Sequence, residues 1–220
     1  SEPSFSKEEL NNIKNCVKSG WLTSGRYIES FERSISKYVG VKHAIACINA
    51  TSALQVSLRL MGVKQDHEVI VPSLTFIAPI NAITYNGASP IFMDSDEFYN
   101  LDEDKTIEFI ENNTFFKNNF TYNLKTRKKI SAIIIVHVFG NAPNLNKLSK
   151  ICNKRNIEIV EDASESLGTF YKLKNNKKMH VGTKGKISLL GGVFGTSTMG
   201  ESPWRLAKEM HYQKTQTNEL

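Results

Sequence analysis

The 220-residue sequence contains no apolar run close to the roughly 18 residues that a membrane span requires. Its first residues, Ser1 to Leu10, lack the basic segment and apolar core of a secretory signal. Both absences set the expectation of a cytoplasmic protein without a membrane partner. Cysteine is scarce: Cys16, Cys47 and Cys152 cannot all pair within one chain, and none lies in a CxxC or Cys/His metal spacing. Reduced thiols and no metal are expected. There is no dinucleotide fingerprint either. Gly191-Gly192-Val193-Phe194-Gly195 has the wrong spacing and no acidic residue at the required distance, which argues against an NAD-binding protein. No internal repeat is visible. The net charge of +6 and pI of about 9.1 permit an anionic partner. The lysines are mostly dispersed, however. Two clusters, Lys125 to Lys129 and Lys172 to Lys178, lie in Asn-rich, loop-like stretches and read as solvated surface; no nucleic-acid partner is expected.

What is present is the composition of a globular chain, with 40% hydrophobic and 23% charged residues. Ser6 and Glu9 form a capping box ahead of Leu10, Ile13 and Val17, with Gly20 past the end. Ile28, Phe31 and Ile35 repeat helical spacing up to Gly40. From residue 44 strands and helices alternate. Ala44 to Ile48 reads as a buried strand, and Leu54, Leu58 and Met61 mark a helix. Glu68 to Val71 is a strand, Phe76 to Tyr85 a helix, Pro90 to Met93 a strand and Thr106 to Glu111 a helix. Ile130 to Val136 is the strongest buried strand, followed by a helix over Leu145 to Arg155 and a strand over Ile157 to Val160. Such alternation predicts βαβ units and an α/β fold with a mostly parallel sheet flanked by helices. Residues 112–129 read as a surface excursion with its own aromatic cluster. After Gly182 the chain becomes glycine-rich with little periodicity, and Leu206 to Met210 again reads as helical.

Several polar residues fall where such a fold places ligands. Asn49-Ala50-Thr51-Ser52 sits at a helix N-terminus, where free N–H groups and hydroxyls suit an anion; plain N-capping explains it equally. Asp162 follows a buried strand at its carboxyl end, where it could pair with a cationic ring nitrogen or a metal, or serve as a helix N-cap or first-turn acid; no matching His/Asp/Glu set with metal spacing accompanies it. His137 closes the strand Ile130 to Val136 and reads as a structural hydrogen-bonder more readily than as a catalyst. Phe76, taken alone, would be core.

In order and spacing these stretches resemble the DegT/DnrJ-type sugar aminotransferases, pyridoxal-phosphate (PLP) enzymes with the aspartate-aminotransferase-like fold. The matching segments are Trp21-Leu22-Thr23-Ser24-Gly25, Asn49 to Leu54, Pro72 to Phe76, His137 to Asn141 and Glu161 to Gly168, within residues 3 to about 190. The stretch Phe92 to Asn141, with Asp94-Ser95-Asp96 and Thr114 to Lys117, looks most like enzymes that aminate UDP-4-keto-6-deoxy-N-acetylglucosamine for bacillosamine or legionaminic acid synthesis. The resemblance implies that Thr51 and Ser52 hold the cofactor phosphate. It places Phe76 on the pyridine ring, Asp162 on the protonated ring nitrogen, and Glu165 near the ring oxygen. Thr23 and Ser24 would meet the cofactor region or sugar nucleotide. It further implies a UDP-linked keto sugar and glutamate as substrates, and a homodimer in intact relatives.

The resemblance fails after Leu190. The family's catalytic lysine, which bonds the cofactor and shuttles the proton, would align without gaps at Thr196. Lys184, Lys186 and Lys208 are the candidates for a substitute base, none at the right spacing. The family's small C-terminal domain is also missing, so residues 1–190 read as a partial large domain and 191–220 as a divergent segment, truncated and altered relative to the family. Two readings follow: an enzyme by descent that is inactive as written, or a non-catalytic remnant that binds PLP, sugar nucleotide or an intact subunit.

Overall fold

The computed structural model describes residues 7–20, 25–173 and 177–190. The chain divides into two compact units at Asn49/Ala50. In the first unit, helix α1 spans Lys7–Ser19 and α2 spans Arg26–Val39. Leu10, Ile13 and Val17 share one face of α1, as their spacing predicts, and that face is exposed. Gly40 takes the left-handed conformation that ends α2, its N–H returning to the Ser36 carbonyl. Ala44 to Ile48 is not the buried strand its composition suggests. The Ala46 N–H donates to the Glu32 carboxylate at 2.9 Å rather than to a neighbouring strand, and Ile48 is 57% exposed. Five apolar residues in a row satisfy a strand pattern, but pairing decides the outcome.

The second unit starts with α3 (Ala50–Leu60), followed by β1 (Glu68–Pro72), α4 (Ile77–Tyr85), β2 (Ser89–Met93) and α5 (Glu103–Asn112). A hairpin of β3 (Thr114–Lys117) and β4 (Phe120–Asn123) leads to β5 (Lys129–Val136), α6 (Asn146–Arg155) and β6 (Glu158–Asp162). Strands β7 (Phe170–Lys172) and β8 (Lys178–His180) form a separate hairpin, and β9 (Ile187–Leu189) closes the order.

The parallel strands lie in the order β2-β1-β5-β6-β9. The α/β architecture expected from the alternation is therefore present. Side chains alternate across the sheet, as strand geometry demands. Val69, Val71, Ala132, Ile134, Val136 and Val160 pack under α3 and α4. Ile70, Ile133, Ile135 and Ile159 pack under α5 and α6 with Leu148 and Cys152. The near-unbroken burial of β5 is what a strand covered on both faces requires.

Residues 112–129 differ from the expected loop. They carry the β3–β4 hairpin, joined antiparallel to the start of β5 through Thr121 and Tyr122. The predicted aromatic cluster is there, with Phe115 stacked on Tyr122 at 5.4 Å. Buried Thr121 and Asn123 tie the hairpin inward, so it extends the sheet instead of leaving it. The strand β9 was likewise hidden among polar and glycine residues.

Candidate active site

The sheet reverses direction of growth between β1 and β5: β2 adds on one side, β5, β6 and β9 on the other. A crevice at the carboxyl ends of the strands beside that point is where open α/β sheets bind ligands. Four sequence-predicted residues converge on that end. Phe76 stands at the N-cap position of α4, extended at φ −61° and ψ 159°, and is 70% exposed rather than core. Thr51 and Ser52 occupy the first turn of α3, half-buried. Because α3 feeds the amino end of β1, its own N-terminus faces the strands' carboxyl end. Asp162 is the last residue of β6 and is buried. Thr23, Ser24 and Thr196 lie outside the described residues, as does Lys208.

Asp162 is held by its neighbour Ser164. Ser164 donates to its Oδ1 twice, from Oγ at 2.5 Å and from N–H at 3.2 Å. Every hydrogen bond its carboxylate receives from the described residues falls on Oδ1, leaving Oδ2 without a donor among them. Burial pushes the Asp162 pKa up, against the two Ser164 hydrogen bonds and the nearby His137. A carboxylate in that position favours a cation brought to it. In the turn after β1, Thr75 Oγ1 is buried without a hydrogen-bond partner among the described residues. A buried, orphaned hydroxyl next to Phe76 is what a site built around a polar guest leaves behind.

Glu165 also sits at this end, but its Oε2 accepts from the Phe139 N–H at 3.0 Å. That bond holds Phe139 at φ 52°, a left-handed conformation for a bulky residue, inside the short turn Val138–Gly140. Phe139 is 73% exposed in consequence.

Sequence reasoning missed the central role of Glu161. Its carboxylate is fully buried and accepts from His137 Nε2 at 2.9 Å and from three backbone N–H groups: Gly182 at 3.1 Å, Lys184 at 2.7 Å and Gly185 at 2.5 Å. Burial alone would raise its pKa; these donors outweigh it and hold the group below the usual carboxylate range. His137 is thus a support residue, as its position suggested. Its own N–H also donates to the Asp162 carbonyl at 3.0 Å, tying the ends of β5 and β6 together. The available signal was an acid inside an otherwise apolar strand, where burial demands partners.

Both described lysine candidates have partners of their own. Lys184 Nζ lies 4.2 Å from the Tyr171 ring and donates to Asn146 Oδ1 at 3.0 Å. Lys186 pairs with Glu158 at 2.6 Å, at the start of β9 and roughly 10 Å of strand away from Asp162. Among the described residues no cluster of His, Cys, Asp or Glu is arranged to hold a metal ion, and no helix is long and apolar enough to cross a membrane.

The sequence pattern of one family covers residues 3–191, and so spans Thr51, Ser52, Phe76 and Asp162. The chain belongs to the DegT/DnrJ/EryC1/StrS aminotransferase family. Members of this family are PLP-dependent sugar aminotransferases. The chain is 34% identical over 199 residues to a GDP-perosamine synthase of Escherichia coli O157:H7, covering 90% of this chain and 49% of that protein. It is 36% identical over 176 residues to a GDP-perosamine synthase of Caulobacter vibrioides, covering 79% and 43%. A DegT/DnrJ/EryC1/StrS aminotransferase from Brucella abortus superimposes with a TM-score of 0.66 at 34% identity, covering 74% of this chain and 42% of the other. The aminotransferase from Psychrobacter cryohalolentis gives a TM-score of 0.71 at 27% identity, covering 86% and 43%. The chain spans about half the length of the relatives it matches. The UDP-sugar subgroup suggested by Phe92 to Asn141 is not singled out, since these relatives are named for a GDP-linked sugar.

Proposed function

We propose that this chain carries the cofactor-binding part of an enzyme that moves an amino group from glutamate to the 4-keto carbon of a nucleotide-linked 6-deoxy sugar. The observation that carries the proposal is Asp162: buried, raised in pKa, bonded on Oδ1 and open on Oδ2. PLP, when bound, supplies an electron sink for the carbon that loses its proton. Asp162 Oδ2 would pair with the ring nitrogen and keep it cationic, while Ser164 fixes the carboxylate's angle. Phe76 would cover one ring face, and its exposed ring at the start of α4 supports that role. Thr51 and Ser52, with the first N–H groups of α3, would bind the phosphate. Glu165 already engages the Phe139 N–H through Oε2, so Oε1 is the oxygen left to approach the ring. Thr23 and Ser24 would line the sugar-nucleotide side.

The resemblance of Phe92 to Asn141 favours a UDP-linked sugar; the two GDP-perosamine synthases keep a GDP-linked sugar as the alternative. The partner in the assembled enzyme would be a second copy. Thr196 at the lysine position supports the second reading, in which the chain binds PLP, a sugar nucleotide or an intact subunit without turnover. Incubation with PLP, borohydride reduction and intact-mass mapping distinguish the two. A stable adduct on one lysine, with glutamate-dependent amination of a UDP- or GDP-linked 4-keto sugar, supports the enzyme. Saturable PLP binding that is lost in Asp162→Asn, without an adduct, supports the binder. No binding by the folded protein refutes both cofactor readings.

A further inference from the structure

At the opposite end of the sheet, charge is distributed very unevenly. Between residues 112 and 157 the sequence has nine lysines and arginines and no aspartate or glutamate. Only Lys128 and Lys147 of the nine come within ion-pair distance of a carboxylate among the described residues, at 3.8 and 3.1 Å. The remainder concentrate where the hairpin meets the end of α6. Asn156 Nδ2 donates to the Asn119 carbonyl at 2.8 Å, and Thr121 Oγ1 donates to the Arg155 carbonyl. These bonds bring Lys117, Lys125, Arg127, Lys129, Lys154 and Arg155 to one edge. The excess of one sign is felt locally. Burial and then the Lys64 charge push the Lys129 pKa down, and burial followed by Lys129 and Lys64 does the same to His67.

The hairpin's register shows what accompanies the charge. Phe115 pairs with Tyr122 and Lys117 with Phe120, alternating with Phe116–Thr121, where Thr121 is buried. Phe115, Lys117, Phe120 and Tyr122 therefore share the outward face, continued by Lys129, which pairs with Tyr122. Arg127 lies 5.4 Å from the Phe115 ring and Lys129 3.7 Å from the Phe120 ring. Phe116, Phe120 and Leu124 remain 44%, 37% and 42% exposed at its margin.

We propose that the outward face of the β3–β4 hairpin, with Lys154 and Arg155 of α6, docks on the anionic phospholipid headgroups of a bilayer surface. The charged ends of Arg127 and Lys129 rest on aromatic rings, while Lys117, Lys125 and Lys154 are exposed; cations interleaved with aromatic rings suit the boundary between acyl chains and headgroups. A single-stranded nucleic acid needs open ring faces for base stacking. Here those faces are occupied by Arg127, Lys129 and the Phe115–Tyr122 stack. Peripheral docking needs no spanning segment, but it departs from the sequence expectation of no membrane partner. It is independent of the aminotransferase reading, because the face lies about 25 Å along β5 from His137.

The test is co-sedimentation of the full chain with vesicles of phosphatidylcholine alone and of phosphatidylcholine mixed with phosphatidylglycerol. Lys117, Lys125 and Lys154 are exposed and unpaired among the described residues, so replacing all three with glutamine leaves the fold intact by circular dichroism. The chain should pellet with the anionic vesicles only, and lose them at about 1 M salt, where the screening length falls to about 3 Å. The triple variant should bind on the order of 100-fold more weakly. The charge-matched control Lys105→Gln/Lys147→Gln/Lys186→Gln, whose ammonium groups pair with Asp94, Asp104 and Glu158, should bind as the parent does. Equal pelleting with both vesicle types, no pelleting with the anionic ones, or no change in the triple variant overturns the proposal. So does tighter binding of polyglutamate or a single-stranded oligonucleotide that displaces the vesicles, which would give the face to another polyanion.

Discussion

Glu161→Gln is the substitution whose outcome the geometry fixes most closely. Oε1 accepts from Lys184 and Gly185, and Oε2 from Gly182 and His137. A glutamine that keeps its oxygen toward Lys184 and Gly185 puts an amide nitrogen against the Gly182 N–H, donor against donor at about 3 Å. His137 can accept from that amide only by moving its proton to Nδ1, which is buried without a partner among the described residues. The flipped amide is worse, because it meets two N–H groups instead of one. One orphaned buried donor costs about 1–3 kcal/mol, and the remaining bonds lose their charge assistance, together about 4 kcal/mol. That is a large part of a stability of about 5–15 kcal/mol. The thermal midpoint, followed by far-UV circular dichroism, should fall by roughly 10 °C for a chain of this size. The exposed pair Lys186–Glu158 provides the contrast: Lys186→Gln should change stability by less than about 0.5 kcal/mol. The depressed Glu161 pKa adds a pH signature. Because the unfolded state takes up the proton first, this group's contribution is full above the ordinary value of 4.5 and is lost as the pH falls through its lower folded value. The parent should therefore lose stability below that pH more steeply than the variant. A change under about 1 kcal/mol with an identical acid limb would refute the account of the Glu161 network.

Asp162 carries the opposite sign. Its folded pKa is raised, so its contribution is full below the unfolded value and is lost as the pH rises through the folded one. Asp162→Asn, which can still accept from Ser164, should raise the thermal midpoint at neutral pH while weakening PLP binding in a fluorescence titration. Gly185→Ala places a Cβ 2.8 Å from the Ile159 carbonyl oxygen, and should destabilise by about 1–3 kcal/mol in urea unfolding, as overpacking does. Cys152 is buried and its pKa is pushed up to about 12, so alkylation at neutral pH, read by peptide mass spectrometry, should wait for unfolding.

The parallel core was legible because its residues satisfy pattern and pairing together. Ile130 to Val136 is apolar throughout and is covered on both faces. The positions of Asp162 and Phe76 were legible because strand ends and helix starts announce themselves in sequence, but Phe76 taken alone read as core and is exposed. Ala44 to Ile48 shows the limit: the same pattern is not assigned as a strand, and Ile48 is exposed. The β3–β4 hairpin hid behind Asn118 and Asn119, both at positive φ, because its inward residues are Thr121 and Asn123 rather than apolar side chains. Glu161 was in plain view, but its partners lie 21 to 24 residues away on either side, a distance that no local pattern spans.

That separation has a consequence for the order in which the chain can mature. β5 and β6 are complete by Asp162, yet Glu161 meets its three amide donors only when Gly182, Lys184 and Gly185 arrive. Until then a growing chain holds a carboxylate that belongs in the interior with His137 as its lone partner. During synthesis, the segment up to Asp162 must therefore wait, incompletely closed, for about twenty more residues to emerge before this end of the sheet can seal; a ribosome stalled in that interval would present the strand ends to chaperones and proteases.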